Sequence, residues 1–143
     1  MTCCTIWEKF DEKNNLIKEY NHWKVVVRKN NFKLGSCVAI TKKHHDAFSD
    51  ISDEEMAEYA LIMREFESAI KKAFNNDAIH HLALMMKDKH THFHIIPRYK
   101  EPRSFAGEEW VDDFSPGGPL GKREPPLSQE VLNQIKEEIK KNL

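Results

Sequence analysis

The chain is short of the features that mark several common protein classes. It has three cysteines, Cys3, Cys4 and Cys37, in 143 residues. An odd number without repeated spacing does not make a disulfide framework. The adjacent pair also lacks the intervening residues of a usual zinc-ligand pair. Reduced thiols in a cytoplasmic protein are the expectation. No apolar run approaches the roughly 20 residues needed to cross a bilayer. The opening stretch 1–10 is broken by Glu8 and Lys9 and does not resemble a secretory leader. No membrane partner is expected. A charge excess is missing too: 22 Lys and Arg face 23 Asp and Glu, for a net charge of -1. No overall positive field therefore draws the chain onto nucleic acid. The few glycines include no run ahead of a Lys-Ser or Lys-Thr pair, which excludes a P-loop.

What is present describes one ordinary core. Apolar residues make up 40% of the chain and charged residues 31%, a globular balance with the length of a single domain over 1–143. Residues 16–20 and 23–28 read as two short strands, with Val25-Val26-Val27 supplying β-branched side chains and Asn14-Asn15 and Asn21-His22 the turns. Residues 37–41 read as a third strand that ends in Lys42-Lys43-His44-His45. A long helix follows. Ser52 and Glu55 fit a capping box, and Met56, Tyr59, Met63, Phe66, Ile70 and Phe74 recur at helical steps as its core face. Asn75-Asn76-Asp77 stops it. Residues 79–86 and 92–99 read as fourth and fifth strands, an antiparallel hairpin turned by Lys87-Asp88-Lys89. The core thus spans about 16–99. Residues 100–126 read as an irregular arm broken by glycine and proline, and 128–141 as a last helix with Val131, Ile135 and Ile139 on one side. The fold class is α+β, a five-stranded mostly antiparallel sheet with one long and one C-terminal helix.

The run His90-Thr91-His92-Phe93-His94 carries the chemistry. Residues two apart on a strand share a face. His90, His92 and His94 are therefore expected in a row on one side, with Thr91, Phe93 and Ile95 on the other. Imidazole serves as nucleophile, base or acid near neutral pH. A metal module is the other chemistry open to such a row. At a rise of ~3.3 Å per residue the outer histidines lie about 13 Å apart, too far for one zinc ion to hold all three without strain. Two could bind one ion, with His80 or His44 as further ligands.

His90-Thr91-His92-Phe93-His94-Ile95-Ile96, continued by Pro97-Arg98-Tyr99, resembles the signature of the histidine triad family. Val38-Ala39-Ile40-Thr41-Lys42-Lys43-His44 is similar to that family's upstream strand and basic turn. Leu84-Met85-Met86, Phe105-Ala106-Gly107 and Trp110 look like a bacterial-type branch with a long C-terminal arm. The resemblance implies a homodimer that binds nucleotides and cuts a phosphoanhydride or phosphoramidate bond at the α-phosphate, with dinucleoside polyphosphates as one substrate class. It implies His92 as nucleophile, passing through a nucleotidyl-histidine, with His90 and His94 assisting. No metal or cofactor is needed. Where many members carry a further histidine, this chain has Ser36; where many hold the ribose through Asn or Asp, it has Arg28. Arg28 donates but cannot accept. Lys87 and Lys89 stand beside the triad as candidate contacts to a second phosphate, and His80 near the nucleotide. Arg98 is expected to brace the sheet edge, and His22, His44 and His45 to lie at the surface or in turns. Phe105, Trp110 and Phe114 are expected near the substrate mouth or a partner subunit. A nucleotide-binding regulator without turnover is the alternative function.

Overall fold

The structure, a computed structural model, describes residues 5–143. Cys3 and Cys4 lie outside the described residues; Cys37 is a buried free thiol. Five strands form one antiparallel sheet: β1 (Leu16–Glu19), β2 (Trp23–Val27), β3 (Cys37–Thr41), β4 (Ala78–Ala83) and β5 (His92–Arg98). Their order is β1-β2-β3-β5-β4, which puts β3 and β5 inside and leaves β4 at an edge. Register decides which side chains share a face, because directly paired residues point the same way. Val26 pairs with Val38, Val38 with His94, and Ile40 with His92. These residues form one face. Val25, Val27, Cys37, Ala39, Phe93 and Ile95 form the other.

That second face carries the main core, covered by the helix α3 (Asp53–Phe74) and the C-terminal helix α4 (Gln129–Lys140). Ser52 caps α3 with both halves of the capping box: its side chain accepts from the Glu55 backbone, and the Glu55 carboxylate accepts from the Ser52 backbone. Asn75 ends the helix in the left-handed region, at φ 53°. The buried stripe of α3 runs through Tyr59, Ile62, Phe66, Ala69, Ile70 and Phe74. Met56, assigned to the core from spacing, is 41% exposed, and Met63 is only partly buried. Met56 lies in the first turn of the helix, and Ile62 and Ala69 take the inner positions instead. Ser128 caps α4, which seals the core with Val131, Leu132, Ile135 and Ile139.

The first face is covered by a segment that sequence periodicity leaves unassigned. Two single-turn helices, α1 (Ile6–Lys9) and α2 (Glu12–Asn15), precede β1. Ile6 and Phe10 pack with Val26, Val38 and Ile40 in a second, smaller core.

Two further elements differ from expectation. β4 ends at Ala83, so 84–91 form a connection longer than the three-residue turn. The arm is not wholly irregular: β6 (Arg103–Phe105) and β7 (Glu108–Trp110) pair as a hairpin. Ala106 and Gly107 turn it at φ 53° and 80°. The glycine that reads as a breaker is the turn residue of a hairpin. The arm is pinned by Asp112, whose carboxylate accepts from Arg98 at 2.7 and 2.9 Å and from Lys33 at 3.0 Å. Of the arm aromatics expected near the substrate mouth or a partner subunit, Phe105 and Trp110 pack against this chain's own core and do not line the cavity at His92. Phe105 stands edge-on to Phe74, and the Trp110 indole donates to the Asn31 carbonyl at 2.8 Å.

Candidate active site

β5 supplies the two imidazoles that face a cavity. His92 and His94 lie on the same face with ring centroids 5.2 Å apart. His92 Nδ1 is 2.6 Å from the carbonyl oxygen of His90. A carbonyl can only accept, so Nδ1 carries the proton and Nε2 keeps its lone pair. Burial pushes the His92 pKa below its ordinary value, opposed by the bond to the His90 carbonyl. The ring is therefore neutral at pH 7 and its Nε2 carries a lone pair. Burial also lowers His94, to about 3, aided by the nearby charge of Arg28. His94 Nδ1 is buried without a hydrogen-bond partner among the described residues.

His90 does not continue the row. It precedes β5, and its Nε2 donates to the Thr41 carbonyl at 2.6 Å. Trp7 and His44 stand edge-on to its ring, at 5.7 and 5.3 Å between centroids. The strict alternation of three imidazoles on a strand thus holds for two. The physical reason is that Thr41, the last residue of β3, donates to the Thr91 carbonyl through its amide and hydroxyl and takes the His90 ring on its own carbonyl. His90 serves the site through its own carbonyl, which orients His92.

Arg28 and Lys87 join His92 and His94 around a cavity of about 210 Å³. Lys9 and Phe10 wall it from the α1 side, and Asp88 and Leu120 from the two loops. Lys9 is ion-paired to Asp88, so the N-terminal segment and the β4–β5 loop meet over the imidazoles. With His92 and His94 neutral, the positive charge here belongs to Lys9, Arg28 and Lys87. Sequence reasoning missed Lys9 and Phe10. The signal was the apolar pair Ile6 and Phe10, one helical turn apart, at the start of the chain.

Ser36 and His80 sit elsewhere. The Ser36 hydroxyl donates to the Lys33 carbonyl at 2.6 Å and is buried in the turn before β3. His80 Nε2 accepts from Arg98 at 3.1 Å, and burial and that charge lower its pKa. Neither lines the cavity. Arg98, expected to brace the sheet edge, stands at the end of the inner strand β5, where it is buried, clamps the arm through Asp112 and donates to His80 on the edge strand β4. His45, expected in a turn at the surface, is buried against Glu55 at 2.9 and 3.0 Å, where it anchors the start of α3. Among the described residues no three His, Cys, Asp or Glu are grouped so as to hold a metal ion.

A profile of the HIT domain matches residues 9–101. The chain belongs to the HIT domain family. It is 27% identical over 89 residues to an uncharacterized HIT-like protein of Saccharolobus solfataricus, an alignment that takes in 57% of this chain and 64% of that relative. Among solved HIT structures, a histidine triad protein of Sinorhizobium meliloti superimposes with a TM-score of 0.75 at 18% identity, over 100% of this chain and 99% of the other. The diadenosine triphosphate hydrolase of Plasmodium falciparum superimposes with a TM-score of 0.67 at 17% identity, over 90% and 76%. These likenesses establish the HIT fold, with the five-stranded antiparallel sheet and flanking helices described above.

Proposed function

We propose that this HIT protein is a nucleotide hydrolase or transferase that cleaves its substrate at the α-phosphate through a nucleotidyl-histidine on His92. One observation carries the reading: the His92 Nδ1–H is committed to the His90 carbonyl, which leaves Nε2 as a neutral nucleophile beside a cationic cavity. Membership of the HIT family and the likeness to a diadenosine triphosphate hydrolase support the substrate class.

The chemistry follows from these groups. Nε2 attacks phosphorus and a P–N bond forms as the bond to the leaving group breaks. The ring then bears positive charge, which the His90 carbonyl stabilises through Nδ1–H. Lys9 and Lys87 neutralise the non-bridging oxygens and the departing group, the main task in phosphoryl transfer. Water or a second acceptor then takes the nucleotidyl group and frees His92.

Dinucleoside polyphosphates, nucleoside phosphoramidates and nucleoside diphosphate sugars, assayed for released mononucleotide, test the class. At least one should be turned over, and His92→Asn should lower turnover by about three orders of magnitude or more. Binding of mononucleotide with turnover of none of these would favour a regulator. Near wild-type turnover by His92→Asn would remove the covalent route.

A further inference from the structure

A second cavity of about 260 Å³ adjoins the first and shares Lys9, Phe10 and Arg28 with it. Lys29, Asn30 and Pro126 complete its lining. Three of these six side chains are cationic and none is acidic. Lys9 has its carboxylate in Asp88, but among the described residues neither Arg28 nor Lys29 has an ion-pair partner.

Arg28 is built into this wall. Its carbonyl accepts from the Asn31 side chain at 2.9 Å, and its own amide donates to the Ser36 carbonyl at 2.8 Å. The Asn31 side-chain oxygen accepts from the Gly35 amide at 2.8 Å, so the turn that carries Arg28 is cross-braced. One end of the guanidinium, Nη1, donates to the Asn30 carbonyl at 2.5 Å. Its side-on fork, Nε with Nη2, has no acceptor among the described residues, and Nε is buried. A buried donor without an acceptor is costly, and a guanidinium fork matches the spacing of two phosphate oxygens. Arg28 stands between the two cavities, and its Nη1 is held toward Asn30, which lines this second cavity and not that of His92.

We propose that Arg28, with Lys29 at the rim and Lys9 between the two cavities, binds a second phosphate group of the substrate, distinct from the phosphate that His92 attacks. The inference rests on the nucleotide reading above and deepens it. Phe10 and Pro126 give the same cavity an apolar wall, suited to a base or sugar that bears this phosphate. The two sources of such a group are a phosphate ester on the ribose and a further phosphate along the chain.

Calorimetric titration of the full-length protein with AMP, ADP, adenosine 2′,5′-bisphosphate and adenosine 3′,5′-bisphosphate tests this. At least one doubly phosphorylated ligand should bind about tenfold more tightly than AMP, a gain of the size expected for one charge-assisted contact. A gain for a bisphosphate puts the group on the ribose; a gain for ADP alone puts it on the chain. Arg28→Ala should bring the affinity ratio to about one, Arg28→Lys should retain part of the gain, and Lys29→Ala should lower it modestly. AMP binding with no gain for any second phosphate, or a gain that survives Arg28→Ala, overturns the inference and leaves the nucleotide reading intact. Binding of no nucleotide at all overturns both.

Discussion

At the scale of the residue, the state of each triad imidazole is set by burial, and for His90 and His92 also by one carbonyl acceptor. The need for a carbonyl to fix the nucleophile's tautomer is legible from imidazole chemistry alone. That the carbonyl belongs to His90, and that the His90 ring then turns away, is not, because it depends on how the 84–91 loop crosses the end of β3. His94 gives a prediction with a definite sign. Its folded pKa, about 3, lies below the ~6.5 of a free histidine, because burial disfavours the charged form. Between these values the unfolded chain binds the extra proton. Stability is therefore full above about pH 6.5 and is lost as pH falls toward 3. His92 and His90 are lowered too and add in the same direction. Urea unfolding between pH 7 and 4 should show this loss. His94→Asn should reduce its slope by up to one proton, roughly 1.4 kcal/mol per pH unit. An unchanged slope would mean that His94 titrates normally.

At the scale of the element, local signals were legible and distant ones were not. Ser52 and Glu55 announce the start of α3 because both halves of a capping box lie within one turn. β3 was legible to its end residues, since Cys37–Thr41 is β-rich between polar flanks and all five residues are buried. Helices as short as α1 and α2 leave at most one apolar spacing, Ile6 to Phe10, too little to mark a helix, and their place over the triad face depends on Ile6 and Phe10 meeting Val38 and Ile40. Three-residue strands such as β6 and β7 are equally silent. The hold on the arm can be tested at Asp112. Burial opposes its charge, but hydrogen bonds from Arg98, the Phe114 and Tyr99 amides and Lys33 keep its pKa well below the usual carboxylate range. Asp112→Ala would leave Arg98 and Lys33 buried without a counter-charge. It should cost about 3–5 kcal/mol in denaturant unfolding. A loss under 1 kcal/mol would show that the clamp does not hold the arm.

At the scale of the whole molecule, the sheet order leaves β4 as an edge whose six residues are all partly exposed. Ile79 and Leu82 lie on it, and Leu84 and Met86 follow at 47% and 92% exposed. An edge of this kind, with apolar residues and open backbone groups, invites pairing. We expect a homodimer, with light scattering giving about twice 16.8 kDa at micromolar concentration. A monomer mass with turnover intact would contradict it. The sheet and its two main helices were readable because hydrophobic period and β-branching act along the chain. The cavity was readable only in part. His92 and His94 were found from their alternation, and Arg28 and Lys87 from their places relative to the histidine triad motif. Lys9 and Leu120 enter it from opposite ends of the sequence, which no local pattern records.

The most direct measurement of the account is the covalent state of His92 during turnover. A substrate that releases mononucleotide should be mixed with the enzyme and quenched in base, since a P–N bond on imidazole is acid-labile. Mass spectrometry of the digested protein should place one mononucleotide on His92, and none on His90 or His94. The adduct should disappear in His92→Asn. Turnover without any adduct in the wild type, or an adduct on another histidine, would contradict the assignment of His92 as the nucleophile.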